Sequence, residues 1–237
     1  ASAVSIGAAS GTSNGAANQG QLRLGASNEF WTPAFTVGGF NGSGVVTFQA
    51  GLISPTCKLR GADGVSATPL LRVGETSSGV RSGAGTLDLT GGSADILATG
   101  IVIGRHIVGT NNGFASELIV PDGSVTATNI ILSEKVNGGI ATSIGNLTHQ
   151  GGSVTADSIT LAQVSFGSVA PQNVRANYNL NGGTLTAGNI NGFSQVETAT
   201  GVGAITTAGD LSITVTGVDL PGSPLTLSVP VLTADNT

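Results

Sequence analysis

Gly151-Gly-Ser-Val-Thr-Ala-Asp-Ser-Ile-Thr-Leu161 decides how this chain folds. The phrase returns with small changes. Asp122-Gly-Ser-Val-Thr-Ala-Thr-Asn-Ile-Ile-Leu132 precedes it, and Gly182-Gly-Thr-Leu-Thr-Ala-Gly-Asn-Ile-Asn191 follows. Gly91-Gly-Ser-Ala-Asp-Ile-Leu-Ala-Thr-Gly-Ile101 is an earlier, stretched copy. The copies start at 91, 122, 151 and 182, so the steps are 31, 29 and 31 residues. A nearly constant step in strand-forming sequence points to coils stacked on one another.

Side-chain parity locates the corners. Val154 and Ala156 share one parity, whereas Ile159 and Leu161 share the other. A regular strand alternates with period two and cannot change parity. A bend at Asp157-Ser158 lets all four point inward. The same bend is expected at Thr128-Asn129, Gly188-Asn189 and Thr99-Gly100, residues that tolerate turn conformations. A second marker is an apolar-x-apolar triplet followed by a small residue: Leu71-Arg-Val-Gly74, Ile101-Val-Ile-Gly104, Ile130-Ile-Leu-Ser133 and Ile159-Thr-Leu-Ala162. Leu87/Leu89, Leu118/Val120, Leu147/His149 and Tyr178/Leu180 supply a further short strand before each glycine corner. The expected fold is all-β: a right-handed parallel β-helix (β-solenoid) with about three strands in each coil. The hand follows the usual chirality of crossover connections.

Composition agrees. The 237 residues include 38 Gly and no Met, and only 9% are charged, which rules out the highly charged composition of disorder. No segment repeats apolar positions at helical spacing, so long helices are not expected. The net charge of −5 argues against nucleic acid as a partner. Charge is uneven: residues 1–105 carry six basic and five acidic residues, and residues 106–237 carry two basic and eight acidic. One end of a stack is therefore near neutral and the other acidic, an asymmetry with two readings: it is incidental, or it favours head-to-tail association. Cys57 is alone and reads as a buried, inert thiol. No apolar run is long enough to span a membrane. Ala1-Ser-Ala-Val4 lacks the basic leader of a signal peptide, as a mature or excised chain would.

Four regions are expected. Residues 1–20 are an N-terminal arm that either lies along the body of its own molecule or docks on a neighbour as a connector between subunits, with Ala3, Val4, Ser5 and Ile6 alternating well enough to add as an edge or assembly strand. Residues 21–70 form irregular first coils with an aromatic cap or an insertion. Leu22-Arg-Leu-Gly25 resembles Leu71-Arg-Val-Gly74, and the 49-residue gap implies inserted sequence. Pro55, Pro69 and Asp63-Gly64 make 51–70 read as a lateral loop. Phe30, Trp31 and Phe35 are candidates for stacking against a glycan or for an interface. Residues 71–215 are regular repeats. Residues 216–237, with Pro221, Pro224 and Pro230, read as a C-terminal cap or edge.

Little catalytic chemistry is visible. Polysaccharide-cleaving β-helices need several carboxylates on one face. The expected outward column Asp95, Thr126, Thr155, Thr186 contains one, and the column Thr128, Asp157, Gly188 contains one. His149 stands where other repeats have Leu89, Val120 and Leu180, so it reads as a packed side chain. The Thr126, Thr155, Thr186 row reads as β-branched residues stacking on a strand face. The Gly-Gly-x-Gly-x-Asp repeat of calcium coils is absent. No catalytic residue, cofactor or metal is expected, and the chain is not expected to be an enzyme.

Gly182-Gly-Thr-Leu-Thr-Ala-Gly-Asn-Ile190 and Gly85-Thr-Leu-Asp-Leu-Thr-Gly-Gly92 resemble the β-strand repeats of autotransporter passenger-type proteins (passenger-associated and autotransporter-associated repeats). The resemblance covers residues 71–215. It implies a bacterial β-helix that is extracellular or at the cell surface, such as an adhesin, a surface-layer or matrix component, or a scaffold. Without the anchoring barrel of that family, a released or assembled piece is expected. The leading expectation is a self-assembling structural subunit of a filament, surface layer or matrix, a homo-oligomer or polymer. An adhesin or carbohydrate-binding module facing a glycan or a host surface is the alternative, and a polysaccharide-active enzyme the second alternative.

Overall fold

The computed structural model describes residues 2–9, 19–40, 42–76, 83–107, 113–136, 142–164 and 174–192, and beyond these the backbone of four strands, 201–207, 212–215, 218–219 and 225–228. Among these residues every regular element is a β-strand, and every strand pairing is parallel. The protein is a β-solenoid.

One coil shows the plan. Phe114–Val120 forms the first face. The chain turns through Pro121 and Asp122, and Gly123–Lys135 then covers the second and third faces. Pairing with the coils on either side runs through Ala127, skips Thr128, and resumes at Asn129. Val125, Ala127, Ile130 and Leu132 are all buried, while Thr128 is exposed. The parity change therefore falls at the bend, as the sequence predicts. The same skip occurs at Thr99 and Asp157 on the neighbouring coils, and at Gly188 on the next.

The first face stacks Gln19–Leu24, Ser43–Phe48, Gly85–Asp88, Phe114–Val120, Ser143–His149, Val174–Leu180, Gly201–Thr207 and Leu225–Ser228 in that order. The third face begins with Val4–Ala9, Ala34–Phe40 and Thr68–Thr76. From Ser93–His106 onward, through Gly123–Lys135, Ser153–Val164 and Thr184–Gly192, one long strand serves both second and third faces. In the early coils Ser27–Trp31 and Thr56–Arg60 supply the second face.

The small residue after each apolar triplet is a corner in its own right. Gly7, Gly38, Gly74 and Gly104 all have φ between 70° and 79°, and Ser133 and Ala162 take the same left-handed conformation at 61° and 57°. They lie in one ladder. Here the corner presses against the first face. A Cβ on Gly104 would stand 2.7 Å from the Ile144 carbonyl oxygen, and one on Gly145 only 2.3 Å from the Ile103 carbonyl oxygen. Both backbones must be bare or nearly so, and the first-face ladder is accordingly Gly20, Gly44, Gly85, Ser116, Gly145, Ala176. The pinch divides the interior. On one side lies the apolar core, in which Leu71, Ile101, Ile130 and Ile159 stack without solvent exposure. Each such side chain contributes about 1.5–3 kcal/mol by burial.

Two features differ from the sequence reading. Leu22-Arg-Leu-Gly25 lies on the first face, so it is not a copy of Leu71-Arg-Val-Gly74 on the third. The true counterparts are Phe35-Thr-Val-Gly38 and Val4-Ser-Ile-Gly7. Residues 51–70 are not a lateral loop throughout: Thr56–Arg60 is a second-face strand between Ser27–Trp31 and Ser93–His106. Of the two placements open to the arm, residues 4–9 take the first: Val4–Ala9 pairs with Ala34–Phe40 of the same chain. The buried Thr32 hydroxyl also donates to the Ser2 carbonyl at 3.1 Å.

Left-handed backbone costs a non-glycine residue about 1–2 kcal/mol. Gly104→Ala should lose about 2 kcal/mol or more of unfolding free energy in urea titration, because it adds this cost and a clash. Ala162→Gly should be near neutral, since the lost methyl contact is offset by relief at the corner. Ala156→Gly, the same deletion in extended backbone, should lose about 1–2 kcal/mol. The opposite order of the two Ala→Gly variants would contradict the corner assignment.

Candidate functional site

Side chains that could carry chemistry fall in four places. The first is an ion ladder at the end of the third face, its carboxylates buried and its Arg105 half-buried. Glu75, Arg105 and Glu134 occupy one register position on successive coils. Arg105 donates from Nη1 to Glu75 Oε2 at 3.1 Å and from Nε to Glu134 Oε2 at 2.7 Å, and Arg72 Nε lies 3.0 Å from Glu75 Oε2. The two carboxylates and the two guanidinium groups balance one another here, so the ladder ties coils together. A smaller pair, Arg60 with Asp95, does the same on the second face.

The second place is the compartment beyond the pinch. Thr76, His106 and Lys135 stack in one column, and none is exposed. The His106 ring lies parallel to that of Phe114, with centroids 6.0 Å apart. Burial, with a contribution from the Lys135 charge, lowers the His106 pKa to about 4, and burial lowers that of Lys135 to about 8. His149 is also buried, with its Nδ1 3.2 Å from the Tyr178 hydroxyl, and burial lowers its pKa too. These are packed groups, as read for His149. Cys57 is buried and its thiol is pushed up to about 12, so it is held as the inert thiol. Among the described residues no group of three His, Cys, Asp or Glu is placed to hold a metal ion.

The third place is the aromatic group, which the structure divides. Phe35 is buried in the core, and Phe30 packs against it edge-on with centroids 4.9 Å apart. Trp31 has the opposite parity and is 51% exposed, resting on Gly64. Phe30, Trp31 and Phe35 therefore cannot form one stacking platform; only Trp31 is open to a ligand. The register also corrects the outward columns. Asp95 pairs beside Ser124, and Leu97 beside Thr126. The carboxylate thus stands outside the threonine column, which continues through Thr155 and Thr186.

The fourth place is the N-terminal coil. Val4–Ala9 is the outermost strand of its sheet, and Gln19–Leu24 is the outermost of the other. Ala3 and Ser5 are exposed, while Val4 and Ile6 are half-buried against the core. The predicted assembly strand is thus an edge strand, with one row of backbone donors and acceptors unpaired among the described residues. The chain matches no protein-family model, no curated protein and no solved structure.

The buried bases set the acid response. The folded pKa of His106, about 4, lies below its unfolded value of 6.5. The unfolded state therefore binds more protons between these values, and stability falls as pH drops from 6.5 towards 4. Lys135 acts with the same sign between 10.5 and about 8. Urea unfolding across the acid window should show this decline, and His106→Gln should flatten it. An unchanged slope in His106→Gln would show that the ring is not held neutral.

Proposed function

We propose that this chain is a structural protein: a self-assembling β-solenoid subunit of an extracellular bacterial filament, surface layer or matrix. The observation that carries this reading is the edge strand Val4–Ala9, which closes no ladder on its outer side among the described residues. Edges of this kind template further strands unless they are blunted. No charged side chain stands on this strand to blunt it. Glu75, Arg105 and Glu134, and Asn146 with Asn177, are taken up in ties between coils, which supports a structural role for these polar groups. Resemblance of the repeat to autotransporter passenger repeats supports the extracellular placement. Sedimentation velocity over a rising concentration series, with electron microscopy of the same samples, should show growing end-to-end rods. A monomer at every concentration would remove the proposal.

The exposed Trp31 favours a second reading, a carbohydrate-binding module of an adhesin. An open indole face is a common platform for sugar rings. In that case the purified chain should retain glycans on an array, and Trp31→Ala should abolish retention without altering rod formation. Equal retention by wild type and variant would discard this alternative.

A further inference from the structure

We infer that the outer surface of the second face around Trp31 binds a neutral pyranoside, its ring stacked on the indole and a vicinal diol held between Glu29 and Lys58. The inference rests on the carbohydrate-binding reading above and names the ligand class and two further residues of that site. The coil that follows Trp31 departs from the repeat. Phe35 to Leu71 is 36 residues, whereas Leu71 to Ile101 is 30 and Ile101 to Ile130 is 29. Between the second and third faces this coil inserts residues 61–67, where later coils run through the bend in one strand. The inserted turn is fixed by its own bonds. The Gly61 amide donates to the Ser66 carbonyl at 2.8 Å, and the Gly64 amide to the Gly61 carbonyl at 2.9 Å. Asp63 Oδ1 accepts from the Val65 and Ser66 amides and from the Ser66 hydroxyl, at 2.8–2.9 Å. The turn reaches back to Trp31. A Cβ on Gly64, whose φ is 77°, would stand 3.1 Å from Cδ2 and Cε2 of the indole.

A rigid support beneath an exposed aromatic ring suits a stacking site, because the ring is ordered before the ligand arrives. The indole offers an apolar face to the axial hydrogens of a sugar ring and asks for no charge on the ligand. Polar groups flank it on the same outward surface. Trp31 pairs in register with Arg60, and Glu29, two positions earlier on the strand, pairs with Lys58. Arg60 is committed: Nη1 donates to the Leu59 and Asp95 carbonyls at 2.9 and 2.8 Å, and Nη2 donates to Asp95 Oδ1. Glu29 and Lys58 are not. Glu29 is exposed and Lys58 half-buried, and neither enters an ion pair or a side-chain hydrogen bond among the described residues. Their backbones stand one strand spacing apart, about 4.8 Å, and about 6.8 Å along the strands from the column of Trp31. A carboxylate beside an ammonium accepts from one hydroxyl and donates to its neighbour, a pattern that two adjacent sugar hydroxyls complete. An acidic sugar would meet the Glu29 charge, so the pair selects a neutral ring. The site is built from side chains on the face of the sheet, not from its edge.

Trp31 is the single tryptophan of the chain, so its emission reports on the site directly. Tetrasaccharides of glucose, galactose, mannose and glucuronic acid are titrated into the full chain, with emission and calorimetry followed together. The expected result is a saturable change in emission with at least one neutral tetrasaccharide and none with the glucuronic acid one. Glu29→Ala and Lys58→Ala should each weaken that binding about tenfold or more, with far-UV circular dichroism unchanged. Binding that Trp31→Ala abolishes but that either of these variants leaves at full strength would overturn this assignment, as would preference for glucuronic acid. Either result leaves a carbohydrate-binding module standing. Calorimetric binding that survives Trp31→Ala, or no binding to any of the four, would overturn both.

Discussion

The parallel backbone ladder is the interaction on which the rest depends. Each coil satisfies its amide and carbonyl groups on the coils on either side, not within itself. Residue therefore sits on residue, and every position in the coil becomes a column along the stack. A column tolerates what its own surroundings allow. Inward columns hold Val, Leu and Ile because they must fill the core without polar atoms. Outward columns repeat side chains that can tie neighbours together, as in the Asn177 amide donating to the Asn146 side chain at 2.8 Å.

The corners convert this ladder into a closed cross-section. Each corner before the second face places one glycine in left-handed backbone: Gly91, Gly152 and Gly183 of the doublets, and Gly123 of Asp122-Gly123, all have positive φ. The bend at Thr128 and its counterparts changes parity with no such requirement, which explains why Thr, Asp and Gly alternate there. The last corner is the most demanding, because it combines positive φ with backbone contact across the interior. Ser133 meets this with a side chain whose hydroxyl donates to the Ser143 carbonyl at 2.9 Å. The strain of its conformation is thus offset by a hydrogen bond that glycine could not make.

The repeat, the three-strand coil and the Thr128-type bend were legible because they rest on parity, which a single sequence displays. The last corner was visible only as a small residue. Its left-handed backbone depends on what lies across the pinch, far away in sequence. The first coils were hidden by uneven steps: Val4 to Phe35 is 31 residues, but Phe35 to Leu71 is 36. Asp95 was misplaced because the turn after Gly91 is longer, so the offset to the next coil is 29 residues and not 31. Trp31 and Phe30 were grouped because adjacency in sequence suggests a cluster, whereas a strand sends neighbours to opposite sides. The burial of Lys135 has no signal in composition. It follows from the second parity change at the corner, which sets Lys135 in the column of Thr76 and His106, and Glu134 in that of Glu75 and Arg105.

In three successive coils the third-face strand ends at one register position, held by Thr76, His106 and Lys135. Just past it the ladder still holds: the Ile107 amide donates to the Thr76 carbonyl and the Val136 amide to the His106 carbonyl, both at 2.8 Å. The first face resumes at Gly85, Phe114 and Ser143. Both borders therefore recur from coil to coil at one strand spacing, about 4.8 Å. The fold works as a ruler: it fixes the pitch at which strand ends recur, whatever side chains those ends carry.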